Sequence, residues 1–493
     1  IRDLVRSRGL GDVYKRQFGV NEFVLCASAY QPWIDKYPGS TAGGKHYCLN
    51  RNNTYWEYSR PFWDYQARCS ALMRKGVPVV DICVYLGQNP PVKLVTYRLP
   101  EIPEGYDFDV CTAEALVGRT MAVDGRLTLP TGISYSLLVI QRNNDMPLHV
   151  LRHIAGLVKG GVIVCGPRPD GSDSLKDKAE SEEYRALVDE LWGELTTVSQ
   201  IRKVGKGKIY ENIPLSEVLK YENIRPDIAI KSGNTAKDKV YFVHRRLSDA
   251  DVYFLNNHSD RAFHDTVRLR TDARQAEYWD AVTGQRYMIP VKASGEKGML
   301  LNLTLAPRES GFIVTSNNQA TGLLPIIADV QETITPIEGS WNVYFDPRWG
   351  GPGKVVFDEL IDWTVHADTG IRYYSGTAVY HKELNLAIPA QNERLLLRFP
   401  RLGSLARVWV NGKEVVTVWC SPWEADITSY VHEGKNNLKI EVVNSLMNRM
   451  IGDASLPESE RFTYAYPQIA TPTDKLVPSG IMEQLNLVYR QCQ

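Results

Sequence analysis

Residues 135–165, YSLLVIQRNNDMPLHVLRHIAGLVKGGVIVC, decide the fold class of the central part of this 493-residue chain. Residues 135–140 are a short apolar run typical of a buried strand, and apolar residues recur at helical spacing from 148 to 158. Gly160 and Gly161 end that helix, and residues 162–165 form a further apolar run. A strand, a helix and a strand with short connections predict a βαβ unit and a parallel sheet.

The sequence on both sides extends this pattern. Residues 79–86 predict another buried strand and residues 180–192 a second helix, so we expect an α/β domain over residues 78–223. Before it, residues 21–29 predict a strand and residues 35–60 a long loop rich in Gly, Asn, Tyr and Trp. A helix is expected over residues 65–75, ending at Gly76.

After residue 224 the pattern becomes all-β. Short alternating runs between residues 240 and 315 predict a β-sandwich over residues 224–318, and residues 319–335 are expected to be a linker. Residues 336–490 contain six or more further short strands, and Asn411-Gly412 predicts a type I′ hairpin turn. This last block is expected to be a jelly-roll, galactose-binding-like sandwich.

Composition excludes several function classes. Lys plus Arg and Asp plus Glu are both 57, and this balance argues against a nucleic-acid or anionic-membrane partner. No window of 18 apolar residues exists, so no membrane span is expected. The eight cysteines form no C-x-x-C pair, which favours buried free thiols over a zinc site. The 26 Tyr and 11 Trp suit a sugar-binding surface or a protein interface.

Several motifs occur in an order that resembles the C-terminal portion of glycoside hydrolase family 106, the α-L-rhamnosidase family. They are FGVNEFVL and QPW (18–25 and 31–33), NTYW (53–56), PVVDICVYLG (78–87), CGPRPDGSDSL (165–175), HRR (244–246) and DVYFLN (251–256). Towards the end, DPRWGG (346–351), YSGTA (374–378) and NRMIGD (448–453) resemble the sugar-binding-type sandwich shared with family 2 glycosidases. Residues 1–17 resemble translated adapter sequence and are expected to be a non-native leader.

The resemblance implies that residues 18–77 are the C-terminal part, or remnant, of a (β/α)8 catalytic barrel. It also implies hydrolysis with inversion, Ca²⁺ as a companion ion, and an oligosaccharide or glycoside substrate. A bacterial, secreted protein in the periplasm or outside the cell is implied by resemblance only, and the localisation is otherwise unknown. Cys26 stands where the family usually has His.

The resemblance also limits the assignment of catalytic residues. The family's general base lies in an E-A-F-T segment before the strand at residue 18, and its acid lies earlier still. This chain contains neither segment, so its catalytic residues are left unknown and the chain by itself is expected to be inactive. By spacing alone, Glu57 is the best carboxylate, because it follows Trp56 in an aromatic loop, although a surface glutamate is the simpler interpretation. Asp64 and Asp81 are weaker candidates.

Other side chains are candidates for binding. The substrate-side group is Gln31, Trp33, Asn53 and Trp56, on loops where a barrel enzyme builds its site. His244 and Arg245, with Arg246, either reach the sugar or brace the barrel. In the last block, Trp409, Trp419 and Trp423 form a carbohydrate platform or pack the core. Asn444, Asn448 and Asp453 either ligate Ca²⁺ or cap turns.

The preferred hypothesis is an α-L-rhamnosidase-like glycoside hydrolase that cleaves terminal rhamnosyl bonds in the full-length parent. One alternative is a non-catalytic carbohydrate-binding or scaffold protein, supported by the strand-rich second half and the tryptophan content. The other is a glycosidase of different specificity on the same plan, such as a family 2-like β-galactosidase.

Overall fold

The structure is a computed structural model of the whole chain. It describes residues 19–24, 29–41, 50–87, 99–141, 146–169, 178–194, 198–233, 240–295, 297–318, 324–325 and 331–491. The predicted leader, Cys26 and most of the predicted linker lie outside the described residues. Residues 21–24 and 29 of the first predicted strand are described and are not in a strand.

A six-stranded sheet forms the centre of the α/β region. Its strands, in spatial order, are Gln200–Val204, Gly207–Glu211, Ile163–Cys165, Leu137–Ile140, Ile82–Tyr85 and Phe108–Cys111. All neighbours are parallel except the first pair, which is antiparallel. Leu137–Ile140 and Ile163–Cys165 are parallel neighbours joined through helix Leu148–Lys159. The βαβ prediction is therefore confirmed.

Helices cover both faces of this sheet, which explains why its central strands Ile82–Tyr85, Leu137–Ile140 and Ile163–Cys165 are apolar. Along Ile82–Tyr85, Cys83 and Tyr85 belong to one core cluster and Ile82 and Val84 to another, as the two-residue period of a strand requires. Helices Ala113–Arg119, Leu148–Lys159 and Lys178–Trp192 contribute to the first cluster, and Leu215–Tyr221 contributes to the second. A small sheet of Met121–Val123, Arg126–Thr128 and Ser134–Tyr135 lies beside them.

Two sheets then pack face to face. One contains Ile228–Ile230, Phe263–Leu269, Met299–Leu305 and Val291–Ala293. The other contains Val77–Pro78, Val240–Arg246, Ala250–Asn257, Ser310–Ser316, Gln275–Trp279, Arg286–Ile289 and Leu324–Pro325. Their shared core includes Tyr253 and Leu255 from the larger sheet and Val267 and Leu301 from the smaller one. We call this pair of sheets the first sandwich.

The last part of the chain forms a second pair of sheets, here called the terminal sandwich. One sheet contains Glu332–Pro336, Asn486–Gln491, Glu393–Arg398 and Glu424–Asp426. The other contains Gly353–Phe357, Trp341–Phe345, Thr377–Leu386, Gly434–Val443, Leu405–Val410 and Lys413–Val418. Asn411 and Gly412 both have positive φ, at 51° and 78°, and join two paired strands, as the predicted hairpin turn requires.

Short helical segments and a two-stranded pairing complete the terminal sandwich. The pairing joins Leu402–Gly403 to Gly480–Ile481. The α-helices are Thr369–Arg372 and Met447–Asp453, and the 3₁₀ turns are Pro347–Trp349, Trp363–Val365, Thr428–Tyr430 and Glu458–Glu460. None of the helices in the described ranges combines the length and apolar character that crossing a bilayer requires.

Helix Arg60–Met73 covers the outer face of the seven-stranded sheet. Tyr65, Cys69 and Met73 are buried against strand residues that include Val252 and Phe254. The helix begins five residues earlier than the sequence predicted, because Pro61 occupies its first turn, where a missing backbone N–H costs nothing. Its end at Met73 lies close to the predicted end at residue 75.

The segment before this helix was predicted to be one long loop, and that prediction was wrong in two places. Pro38–Ser40 is a short strand, and it pairs in parallel with Tyr464–Tyr466 near the other end of the chain. Trp56–Tyr58 is a 3₁₀ turn. The local sequence could not show the strand, because the strand with which it pairs lies more than 400 residues away.

Replacing Met73 with Ala should destabilise the protein by about 2–5 kcal/mol, because Met73 is 1% exposed and the change leaves a cavity under the helix. Met121, which is 48% exposed, is the matched control, and its replacement by Ala should have little effect. Urea denaturation of both variants, followed by circular dichroism, measures the difference. Equal stabilities of the two variants would show that the helix does not depend on this contact.

Candidate functional site

Most of the predicted binding residues lie on a segment that rests on the terminal sandwich. We call its described residues, 29–41 and 50–59, the aromatic loop. Besides the strand pairing, the Thr41 hydroxyl donates to the Pro467 carbonyl at 2.6 Å, and the Thr54 hydroxyl donates to the Asn444 carbonyl. The loop is therefore held in place by residues from the far end of the chain.

Gln31 fixes the path of this loop. Its Nε2 donates to the Ser40 carbonyl at 2.7 Å, and its Oε1 accepts from the Ser40 amide at 2.8 Å. Gly39 beside it has a φ of 74°, and a Cβ there would lie 2.4 Å from Gln31 Oε1, so glycine is required. The Gln31 amide thus shapes the site through the backbone.

Trp33 lies at the surface of the loop next to a cation and a second ring. The Trp33 and Tyr464 rings meet edge to face with centroids 5.0 Å apart. Lys36 Nζ lies 5.5 Å from the Trp33 ring and 4.1 Å from the Tyr464 ring. Half-buried rings beside an ammonium group suit a ligand that presents both C–H and hydroxyl groups.

Asn53 lines a small pocket of about 130 Å³ between the loop and the terminal sandwich. The loop contributes Tyr37, Asn52, Asn53 and Thr54, and the sandwich contributes Trp349, Gly376, Thr377 and Leu446. The Tyr37 and Trp349 rings meet edge to face at 5.4 Å. The pocket thus combines aromatic rings, side-chain amides and hydroxyl groups, which are the groups that recognise polyhydroxylated ligands.

Trp56 and Glu57 lie on the 3₁₀ turn that closes the loop. Trp56 is half-buried, and its carbonyl accepts from the Ser59 hydroxyl at 2.7 Å. The Glu57 side chain is exposed instead of being buried against the rings, and its carbonyl accepts from Arg407 Nη2 at 2.8 Å. Nothing in this geometry gives Glu57 the environment expected of a general acid.

The other two candidate carboxylates are already paired. Asp64 Oδ1 lies 2.8 Å from Nε of exposed Arg60, one helical turn away. Asp81 is buried, and its Oδ2 lies 2.7 Å from Arg270 Nη2 while its Oδ1 accepts from Ser136. Asp81 is therefore a partnered charge in an apolar strand region.

His244 and Arg245 are not part of the aromatic loop site. His244 is fully buried, with Nδ1 2.9 Å from Asp227 Oδ2 and Nε2 3.0 Å from Asp251 Oδ1. Its ring also stacks on Tyr253 at 4.0 Å. Arg245 donates to the carbonyls of Lys75 and Gly76, just after helix Arg60–Met73. These contacts match the alternative in which His244 and Arg245 brace the structure, and not the one in which they reach the sugar.

The two aspartates control the protonation of His244. Burial by itself would lower the pKa of His244, but the hydrogen bonds to Asp227 and Asp251 raise it above its ordinary value of 6.5. Burial likewise opposes ionisation of Asp251, yet the contact with His244 lowers the pKa of Asp251 to about 2. Both shifts favour the charged forms of His244 and Asp251 in the folded protein.

The three tryptophans proposed as a carbohydrate platform have different neighbours in the structure. Trp419 packs edge to face on Phe62 and Tyr65, both at 5.6 Å. The Trp409 ring lies 4.3 Å from Lys439 Nζ, and Trp423 packs against the core of the terminal sandwich. Among the described contacts these three rings form no shared surface: Trp419 and Trp423 pack against apolar clusters, and Trp409 lies beside Lys439.

Asn444, Asn448 and Asp453 do not fit a Ca²⁺ site. Asn444 Oδ1 accepts from the Gly376 amide and Asn448 Oδ1 from the Val477 amide. Asp453 accepts from Arg449 at 2.9 Å and from Thr463 at 2.6 Å. No group of three or more His, Cys, Asp and Glu suited to a metal occurs within the described part of the chain.

Three aromatic residues of the site were not among the predicted binding residues: Tyr37, Trp349 and Tyr464. Trp349 lies inside the DPRWGG motif, so a signal for it existed in the sequence. Tyr37 lies within the predicted loop without a motif, and Tyr464 carries no local signal at all. Only the folded chain places these three rings beside Trp33 and Asn53.

Comparisons with known proteins place this chain among glycoside hydrolases. A family model described as alpha-L-rhamnosidase matches residues 8–292, and one described as the family 2 glycosyl hydrolase sugar binding domain matches residues 328–489. The chain is similar to the solved rhamnosidase from Novosphingobium sp. PP1Y, with a TM-score of 0.85 and 29% identity. That match covers 99% of this chain and 46% of that one.

A second relative has a different name. The chain is 23% identical to a putative beta-glucuronidase from Formosa agariphila, over 89% of this chain and 56% of that protein. The chain thus spans about half the length of the relatives that it matches.

Below a pH of about 6.5, replacing His244 with Gln should destabilise the protein by about 3–5 kcal/mol, because Asp227 and Asp251 lose the cation between them and, among the described residues, keep only one arginine each. Since folding raises the pKa of His244, its contribution is complete below the ordinary value of 6.5 and is lost as pH rises through the raised pKa. The stability difference from the unaltered protein should therefore shrink at alkaline pH.

Thermal denaturation from pH of about 5 to about 9 measures this difference. Exposed His264, bonded to Thr304 at 2.7 Å, is the control, and its Gln variant should differ little in stability from the unaltered protein. A difference for the His244 variant that does not change with pH would contradict a raised pKa of His244 in the folded protein.

Proposed function

Because the rhamnosidase family model covers more than half of this chain, the protein belongs to the α-L-rhamnosidase family of glycoside hydrolases, and we propose that it serves the hydrolysis of terminal rhamnosyl bonds. The observation that carries this proposal is the pocket of the aromatic loop, where Asn53 and Trp349 line one small cavity. The rhamnosidase fold over 99% of the chain supports the same substrate class.

We further propose the roles of the loop residues. The Trp33 ring contacts a C–H face of the sugar, and Asn53 hydrogen-bonds its hydroxyls. Gln31 holds the loop strand at Ser40, and Trp56 contacts the sugar from the 3₁₀ turn that ends the loop. The Glu57 side chain contacts the substrate from the exposed rim of the site. His244 and Arg245 do not contact the substrate and instead stabilise the fold through their buried and backbone contacts.

The chemistry requires two carboxyl groups at the scissile bond. For inversion they stand roughly 6.5–9.5 Å apart, so that water fits between the second carboxylate and the sugar. The candidate carboxylates at positions 57, 64 and 81 are exposed or paired. We propose that the family's two glutamates supply both groups and that this chain supplies substrate contacts.

The finer division of the chain is also a proposal. It comprises a leader (1–17), the C-terminal part of a (β/α)8 barrel (18–77), an α/β domain (78–223), a β-sandwich (224–318), a linker (319–335) and a jelly-roll sugar-binding sandwich (336–490). The sugar-binding family model over residues 328–489 supports the last of these. Ca²⁺ dependence, bacterial origin and a periplasmic or extracellular location remain proposals from resemblance.

A different glycosidase specificity is the second candidate function. The relative named as a beta-glucuronidase motivates it, but that relative is only 23% identical, below the 29% of the solved rhamnosidase. A non-catalytic sugar-binding role would use the same pocket without turnover. Substrate assays separate these possibilities.

We expect 4-nitrophenyl α-L-rhamnoside to be hydrolysed by the chain extended upstream to include the two family glutamates, and not by the chain alone. The corresponding β-D-glucuronide and β-D-galactoside should not be hydrolysed. Release of 4-nitrophenol measures all three reactions. Turnover of the rhamnoside by the chain alone would show that a catalytic carboxyl pair lies within it, and preferential turnover of the glucuronide would replace the proposed specificity.

Replacing Trp33 with Ala should weaken rhamnose binding about fivefold, because loss of a stacking ring costs about 1 kcal/mol. Trp279, a half-buried ring in the first sandwich, is the matched control, and its Phe variant should bind rhamnose normally. Isothermal titration gives both affinities. An unchanged affinity of the Trp33 variant would remove this ring from the proposed site.

A further inference from the structure

A second, larger cleft of about 670 Å³ lies where the α/β region meets the first sandwich. It shares no lining residue with the pocket of the aromatic loop. Its described lining contains no aromatic residue and is rich in Arg, Asp, Ser and Thr. The α/β region contributes Asp81, Arg126 and Ser134, and the sandwich contributes residues that include Arg246, Asp251 and Arg270.

Arg126 stands out because its partners are all neutral. Its Nε donates to the Ser134 hydroxyl at 3.0 Å, Nη1 to the Ser136 hydroxyl at 2.8 Å, and Nη2 to the Ser134 carbonyl at 3.0 Å. A guanidinium has five N–H donors, so two remain for a ligand. Among the described residues no carboxylate forms an ion pair with it, although the side chain is half-buried.

The inner carboxylates of the cleft are already compensated. Asp81 pairs with Arg270 at 2.7 Å. Asp251 pairs with His244 and Arg246, both at 3.0 Å. The other two lining aspartates, Asp249 and Asp272, are exposed and solvated.

The charge on Arg126 therefore lacks a counterion of its own. Burial, together with the charges of Arg270 and Arg246, lowers the pKa of Arg126, whereas the charge of Asp81 opposes that change. A ligand oxyanion bound to the two remaining N–H groups would supply a counterion for the half-buried Arg126 guanidinium through a charge-assisted hydrogen bond.

We propose that this cleft binds an acidic sugar, with the sugar's carboxylate on Arg126 and its hydroxyls on the surrounding polar side chains. Lining hydroxyl groups are available at Ser134, Ser248 and Ser316. Asp249 and Asp272 accept hydrogen bonds from ligand hydroxyls at the rim. The site is separate from the rhamnosyl pocket and does not depend on hydrolytic activity.

Isothermal titration of the full chain with D-galacturonate and D-galactose tests the proposal. These sugars differ at one carbon only, which carries the acidic group in galacturonate and an alcohol in galactose. Galacturonate should bind about tenfold or more tightly than galactose, as expected for a hydrogen bond to a charged group. Inorganic sulfate should compete with galacturonate. Equal affinity for the two sugars, or no binding of galacturonate, would overturn the proposal.

Two arginine variants test whether the carboxylate of the sugar binds at Arg126. Arg126→Gln should remove the preference for galacturonate, and Arg152→Gln, which alters an exposed pair with Glu183 elsewhere in the α/β region, should keep it. Because Arg126 also joins Ser134 and Ser136, its variant is checked for folding by circular dichroism.

Exposed Ser248 provides an independent test that leaves Arg126 intact. Ser248→Lys should strengthen galacturonate binding and Ser248→Glu should weaken it, because each places a charge at the rim of the cleft. If both Ser248 variants bind galacturonate like the unaltered protein, the acidic group does not lie in this cleft.

Discussion

The buried contact of His244 with two aspartates constrains the arrangement of the central part of the molecule. Asp227 immediately precedes a strand of the four-stranded sheet, and Asp251 lies in the seven-stranded sheet. Arg270 extends the network from Asp227 to Asp81, beside the α/β sheet. Since a buried charge is tolerated only when it is paired, three sheets must meet in one relative position to satisfy this network.

A second constraint sets the position of the aromatic loop. Helix Arg60–Met73 directly follows the loop and packs on the seven-stranded sheet. Phe62 and Tyr65 of the same helix contact Trp419 of the terminal sandwich. The loop is thus attached at its end to a helix fixed between two units, and along its length to the strand Tyr464–Tyr466. A binding site made of loop residues gains its rigidity from these attachments.

This arrangement gives the family resemblance a physical meaning. In the proposed function the terminal sandwich is part of the site, because Trp349 and Thr377 line the same pocket as Asn53. The charged cleft, which is lined in part by Asp81, Asp251 and Arg270 of the central network, has a different chemistry. Its described lining has arginine and hydroxyl groups and no aromatic ring. The two proposed sites therefore differ in chemistry and share no lining residue.

The sequence alone determined the βαβ unit, the Asn411-Gly412 turn, most strands of both sandwiches and the family, because apolar periodicity, turn chemistry and motif order are local properties. It also singled out Gln31, Trp33 and Asn53. Only the tertiary structure decided that Tyr464 and Trp349 join them and that His244 is enclosed by Asp227 and Asp251. Contacts between residues far apart in the chain depend on how whole sheets pack, and no short stretch of sequence encodes that packing.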